Sequence, residues 1–140
     1  MLAALTSMPK DENYIIDLCD STLELRAKRQ HRFDFLRGDT GSKLPVDAYY
    51  PEINLVIEYH ERQHTEPVAF WDNKQTASGI PRGVQRELYD QRRIEVLPEN
   101  GIDIIVLKHT DFEHRSNRRL VRTKSDVAVI KSKLGKWLKS

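Results

Sequence analysis

The stretch Ile53–His64, INLVIEYHERQH, offers two metal chemistries that demand different backbones. HERQH matches the H-E-x-x-H pattern of a zinc protease. There His60 and His64 stand one turn apart on a helix and hold the ion, Glu61 acts as general base, and Glu87 is a candidate third ligand. That chemistry needs helix from Glu58 to His64. The approach through Ile53, Leu55, Val56, Ile57 and Tyr59 is β-branched, aromatic or apolar, and it alternates with Val56, Glu58 and His60 on the other side. This is the pattern of a strand. Pro67 also biases its predecessor away from helical angles.

A hairpin suits the segment better. Leu44–Tyr50 is a second strand-like run, and Tyr50-Pro51-Glu52 supplies a turn. With the turn centred between Glu52 and Ile53, Asp47 falls opposite Glu58. Directly opposed cross-strand Cβ atoms lie about 5 Å apart, and like charges so placed repel. A cation between them removes the conflict, and oxygen ligands of this kind suit Mg²⁺ in phosphoryl-transfer sites. His60 shares the strand face of Glu58 and joins them as a candidate ligand. The plainer reading makes Asp47 and Glu58 solvated residues on an exposed sheet.

Three clusters carry a family resemblance: Val46-Asp47, Leu55-Val56-Ile57-Glu58-Tyr59, and Gln63-His64-Thr65-Glu66-Pro67-Val68. Together they resemble the core of the very-short-patch-repair-like endonucleases of the PD-(D/E)xK superfamily, whose catalytic domains also occur in some homing endonucleases. The resemblance continues through Tyr89-Asp90, Arg93 and Glu99-Asn100-Gly101-Ile102 to the run Asp103–Leu107, covering about residues 32–107. It implies a restriction-endonuclease-like α/β (α+β) fold, a mixed sheet flanked by helices. The implied activity is Mg²⁺- or Mn²⁺-dependent hydrolysis of DNA phosphodiesters, and a homodimer is one arrangement in which such a chain cuts both strands. Asp47, Glu58 and His60 would hold the metal, with His60 alternatively taking the proton of the attacking water. His64 would join the catalytic group by stabilising phosphate charge, and Gln63, Asp90 and Arg93 would contact water, phosphate or the ligands themselves. One departure stands out: where most relatives read aspartate-glycine after the glutamate-x step, this chain has His60-Glu61, and His60 also fills the superfamily's lysine position. The repair enzymes resemble a histidine-rich variant of the same segment. A silent nucleic-acid-binding module of the same fold is the alternative if the departure removed activity.

Charge is divided along the chain. The net charge is +2, yet residues 108–140 hold ten Lys or Arg against three acids, and the remainder is acidic. A basic flank beside an acidic catalytic face suits a polyanion, because each neutralised phosphate releases counterions. Arg115, Arg118, Arg119, Arg122 and Lys124 are expected at phosphates, whereas Lys131–Lys139 reads as a solvated face. Between positions 70 and 83, Trp71 is a candidate for stacking on bases and Lys74 and Arg82 for DNA contact. The expected partner is therefore DNA.

Other features bound the class. The single cysteine, Cys19, excludes an intrachain disulfide framework and lies on an apolar helical stripe, as a buried thiol does. No apolar run reaches membrane-spanning length and Met1–Leu5 is too short for a secretory signal, so a cytoplasmic protein without a membrane partner is expected.

The scaffold that must position these groups reads as one domain, 1–140. A helix is expected from Asp11 to Arg29, with acids at its start and Arg26, Lys28 and Arg29 at its end. Arg32–Leu36 alternates as a strand, followed by a turn at Gly38–Ser42 and the Asp47/Glu58 hairpin. Residues 70–83 read as a loop, Gly83–Leu97 as a helix ending at Pro98, and Ile102–Leu107 as a strand buried on both faces. A last helix, capped by Ser125, would turn Val127, Ile130, Leu134, Trp137 and Leu138 to one side.

Overall fold

The computed structural model describes residues 10–61 and 79–138. Its elements are α1 (Asp11–Leu23), β1 (Lys28–Arg37), β2 (Lys43–Tyr50), β3 (Leu55–His60), α2 (Arg82–Glu99), β4 (Asp103–Lys108) and α3 (Ser125–Lys133). The strands form one mixed sheet in the order β1-β2-β3-β4, antiparallel for the first two pairings and parallel between β3 and β4. The α+β class expected from the sequence is the observed one.

The helix-strand-strand-strand-helix-strand order dictates the layers. A parallel β3–β4 pair needs a crossover, and α2 lies within it. One core joins Ile15, Ile16, Cys19 and Leu23 of α1 and Ile130 of α3 to Ala48, Tyr50, Leu55, Ile57, Tyr59 and Leu107 of the sheet. The other joins Leu97 of α2 to Phe33, Leu36, Leu44, Val46, Val56 and Ile102. Cys19 is fully buried, and burial pushes its thiol up to about 12, as an inert packing thiol requires.

The hairpin register is the one deduced from the sequence. Ala48, Tyr49 and Tyr50 pair with Ile57, Val56 and Leu55. Asn54 closes the turn in the left-handed region (φ 48°), which Asn tolerates better than most residues.

Several boundaries differ from expectation. The first helix stops at Leu23, not Arg29, because Glu24 turns left-handed (φ 56°) and the chain enters β1 at Lys28. Arg29 therefore serves the sheet-to-helix contact, reaching Asp17 (2.6 Å) and Asp20 (3.0 Å) from β1. The second helix runs through Pro98 to Glu99, since a proline near the end of a helix breaks its ladder without stopping the last turn. β4 has a core on each face, with Ile104 against one and Ile105 against the other, but it is the sheet edge among the described residues, so Ile104, Ile105 and Val106 are only half-buried. The last helix is shorter, giving way to a 3-10 turn at Gly135–Trp137. Ser125 does not cap it. Asp126 instead reaches back to the Thr123 N–H (3.1 Å) and also accepts the Tyr14 hydroxyl (2.6 Å), tying α3 to α1. Among the described residues no helix is long and apolar enough to cross a membrane.

Candidate metal centre and nucleic-acid interface

The site begins where the sheet loses its regularity. Leu44 and Val46 enter one core while Ala48 and Tyr50 enter the other, although strict alternation would place all four on one face. The strand therefore rolls over at Asp47. On β1, Gln30 lies between the Arg29–Ala48 and His31–Val46 pairs and adopts φ 52°, so the irregular row extends across both strands.

The carboxylates take over the hydrogen bonding that the ladder drops. The Asp47 N–H donates to Glu58 Oε2 (2.6 Å), and the Tyr59 N–H donates to Asp47 Oδ2 (2.8 Å). Each acid thus caps the partner strand's backbone, which places two negative groups in a confined space. Glu58 is only 4 % exposed. Burial, followed by the charge of Glu58, pushes the Asp47 carboxyl up to about 8, although the Tyr59 N–H opposes the rise.

The other half of the site comes from α2. His60 Nε2 stands 3.8 Å from Glu58 Oε1 and 3.9 Å from Asp90 Oδ1. Arg93 Nη1 donates to Asp90 Oδ1 (3.1 Å), its Nε donates to the Pro45 carbonyl (2.9 Å), and the same Nε is 3.7 Å from Glu58 Oε1. Arg93 thereby pins α2 to β2 and offsets part of the acid charge. Burial disfavours the charged imidazole of His60, but contact with Glu58 and then the charges of Asp90 and Glu58 outweigh it, so its pKa is raised.

Ligand atoms of Glu58, His60 and Asp90 all lie within 4.8 Å of one another, close enough to share one cation. Expectation placed Asp47 with Glu58 and His60, and Asp90 among the supporting groups. Asp90 instead completes the compact triad, and Asp47 adjoins it through its backbone bond to Glu58. The i, i+3 spacing of Asp90 and Arg93 was visible in the sequence; that their helix turn faces β3 was not. The donor set fits a divalent ion: carboxylate oxygens suit Mg²⁺ or Mn²⁺, and an imidazole shifts the balance toward Mn²⁺, Co²⁺ or Zn²⁺. His60 is the last residue of a strand, which is incompatible with the helical placement a zinc protease requires. Gln63, His64, Trp71 and Lys74 lie outside the described residues, and Arg82 is exposed at the start of α2.

The basic segment folds into a tight hairpin. Its backbone is closed by Val121 N–H to Glu113 O (2.9 Å), a bridge between His114 and Leu120, and Arg115 N–H to Arg119 O (2.8 Å). Arg118 (φ 72°) occupies the turn. Asp11 docks the hairpin on the start of α1 by accepting the Leu120 N–H (3.0 Å) and Arg122 Nε and Nη2 (3.2 and 3.1 Å). Arg122 also lies over the Tyr14 ring at 4.8 Å, so it holds the hairpin in place. Arg115, Arg118, Arg119 and Lys124 are exposed. The three hairpin arginines line an open cleft of about 990 Å³ together with Lys10, Asp11 and Glu61. Lys10, Asp11 and Glu61 carried no sequence signal for this role. When the chain is compared with known proteins, no family model, curated protein or solved structure matches it.

Proposed function

We propose that this protein is a metal-dependent endonuclease that hydrolyses DNA phosphodiester bonds. The observation that carries the reading is the convergence of Glu58, His60 and Asp90 within 4.8 Å beside a half-buried Asp47 whose carboxyl is pushed up by burial and by Glu58. The succession of a helix, three antiparallel strands, a helix and a parallel strand supports the restriction-endonuclease-like arrangement that the resemblance implies.

Glu58, His60 and Asp90 would hold the ion, with Asp47 completing the acidic wall. A bound divalent cation supplies Lewis-acid stabilisation to phosphate oxygens and lowers the pKa of water. The protein's own groups do the rest. Asp47 and Glu58 are held by the strand N–H groups they accept, so neither side chain must reorganise as the ion binds. His60, when neutral, can accept a proton at Nε2, and its acidic neighbours stabilise the imidazolium that results. Arg93 keeps Asp90 and Glu58 oriented.

Nicking of supercoiled plasmid, with Mg²⁺, Mn²⁺ or a chelator, tests the proposal. Cleavage should require the ion and disappear in Glu58→Gln, which keeps an acceptor for the Asp47 N–H and so preserves the fold by circular dichroism. A wild-type protein that binds DNA but never nicks it with any of these ions would favour the silent binding module.

A further inference from the structure

The candidate metal cluster and the arginine cleft lie on opposite faces of β3. Glu58 and His60 face Asp90 and Arg93 of α2. Tyr59, between them, packs into the core with α1, and the cleft is built from the start of α1 and the hairpin. The two faces meet at the carboxyl end of β3, where Glu61 follows His60 and lines the cleft. β3 and β4 are parallel and finish together at His60 and Lys108, and the carboxyl ends of parallel strands are where α/β sheets present ligand crevices.

The cleft has the character of a polyanion site. Five basic groups line it against two acids, and one of the five, Arg122, is spent on Asp11. Its volume far exceeds one phosphate, and the guanidinium fork matches phosphate oxygens.

We propose that the hairpin 113–121 and the first turn of α1 cradle the DNA backbone on the α1 face while the bond is cut on the α2 face, so that the substrate passes over the carboxyl end of β3. Only the identity of the cutting site rests on the nuclease reading.

The test is fluorescence-anisotropy binding of DNA duplexes of increasing length in chelator, where no cleavage occurs. Arg115→Ala/Arg118→Ala/Arg119→Ala should flatten the salt dependence by about 2.7, at about 0.9 per phosphate contact. Between 50 and 200 mM salt that slope corresponds to about 40-fold in affinity. The loss should grow with duplex length, since a short duplex cannot reach both faces. The matched-charge variant Arg26→Ala/Lys131→Ala/Lys136→Ala should keep the wild-type slope. Equal losses in both triples, or none in the first, would overturn the proposal. Should the first triple lose its melting transition, the single variant Arg119→Gln decides, with a change of about 0.9 expected. Glu58→Gln must still show the hairpin effect, because it concerns the other face. An intact hairpin effect without any cleavage by the wild type therefore sinks the nuclease reading alone, and cleavage without a hairpin effect sinks this one alone.

Discussion

Stability without metal should fall steeply as pH rises, and Asp47→Asn should remove most of that fall. Two opposed carboxylates about 5 Å apart repel by about 3 kcal/mol at an effective dielectric of 20. Burial is the larger cause and the charge of Glu58 the second, and the protein avoids both costs by keeping a proton on Asp47, whose pKa rises from 3.8 to about 8. The sign follows directly. Between pH 4 and pH 8 the folded state retains a proton that the unfolded chain releases, so stability is greatest below the unfolded pKa and is lost toward the folded one. At about 1.4 kcal/mol per pH unit, the change from pH 5 to pH 8 approaches about 4 kcal/mol, or about 10 °C in Tm for a chain of this size. His60 acts in the same direction, because its raised pKa contributes stability that disappears as pH climbs through it. Asp47→Asn isolates the carboxyl, since the amide oxygen can still accept the Tyr59 N–H. Melting followed by circular dichroism from pH 5 to 8, in chelator, measures the difference. A saturating divalent ion should oppose the fall in the wild type by about 2.7 kcal/mol at 100 times Kd, and chiefly at high pH, where the ligands are deprotonated. If Asp47→Asn loses stability with pH as the wild type does, the carboxylates are not in conflict and the cation reading loses its physical basis.

Two further outcomes test neighbouring residues. His60→Ala should remove the acid limb of the cleavage profile and narrow the preference for Mn²⁺ over Mg²⁺, since imidazole must be neutral to ligate an ion or take a proton; rate against pH with each metal checks this, and an unchanged limb and ranking would exclude His60 from the chemistry. Tyr59→Phe should raise stability by about 1 kcal/mol, because it deletes a buried hydroxyl that has no hydrogen-bond partner among the described residues; denaturant melts that show a loss of that size instead would mean the hydroxyl is satisfied in solution.

Periodicity and turn chemistry were sufficient to read the hairpin. Alternation in residues 53–60, the proline turn and the opposed Asp47 and Glu58 are local properties, and the observed register follows from them. The alternation also placed His60 on a strand, which removed the helix the protease pattern needs. Local sequence was less informative wherever a distant partner decided the outcome. Helical propensity continues past Leu23, yet pairing of β1 with β2 claims the chain from Lys28 onward. The apolar run of β4 looks like a central strand, but its position at the described edge depends on which strand α2 leads to. Asp90 could be recognised only as a supporting group beside Arg93, because its approach to Glu58 and His60 is fixed by how α2 packs on the sheet. The basic run showed its charge in the sequence. Docking by Asp11, more than a hundred residues earlier, decides that Arg122 is structural while Arg115, Arg118 and Arg119 face an open cleft. Spacing along a chain specifies strands, turns and the groups they carry; the meeting of groups from different elements depends on packing free energy spread over both cores, which no short segment contains.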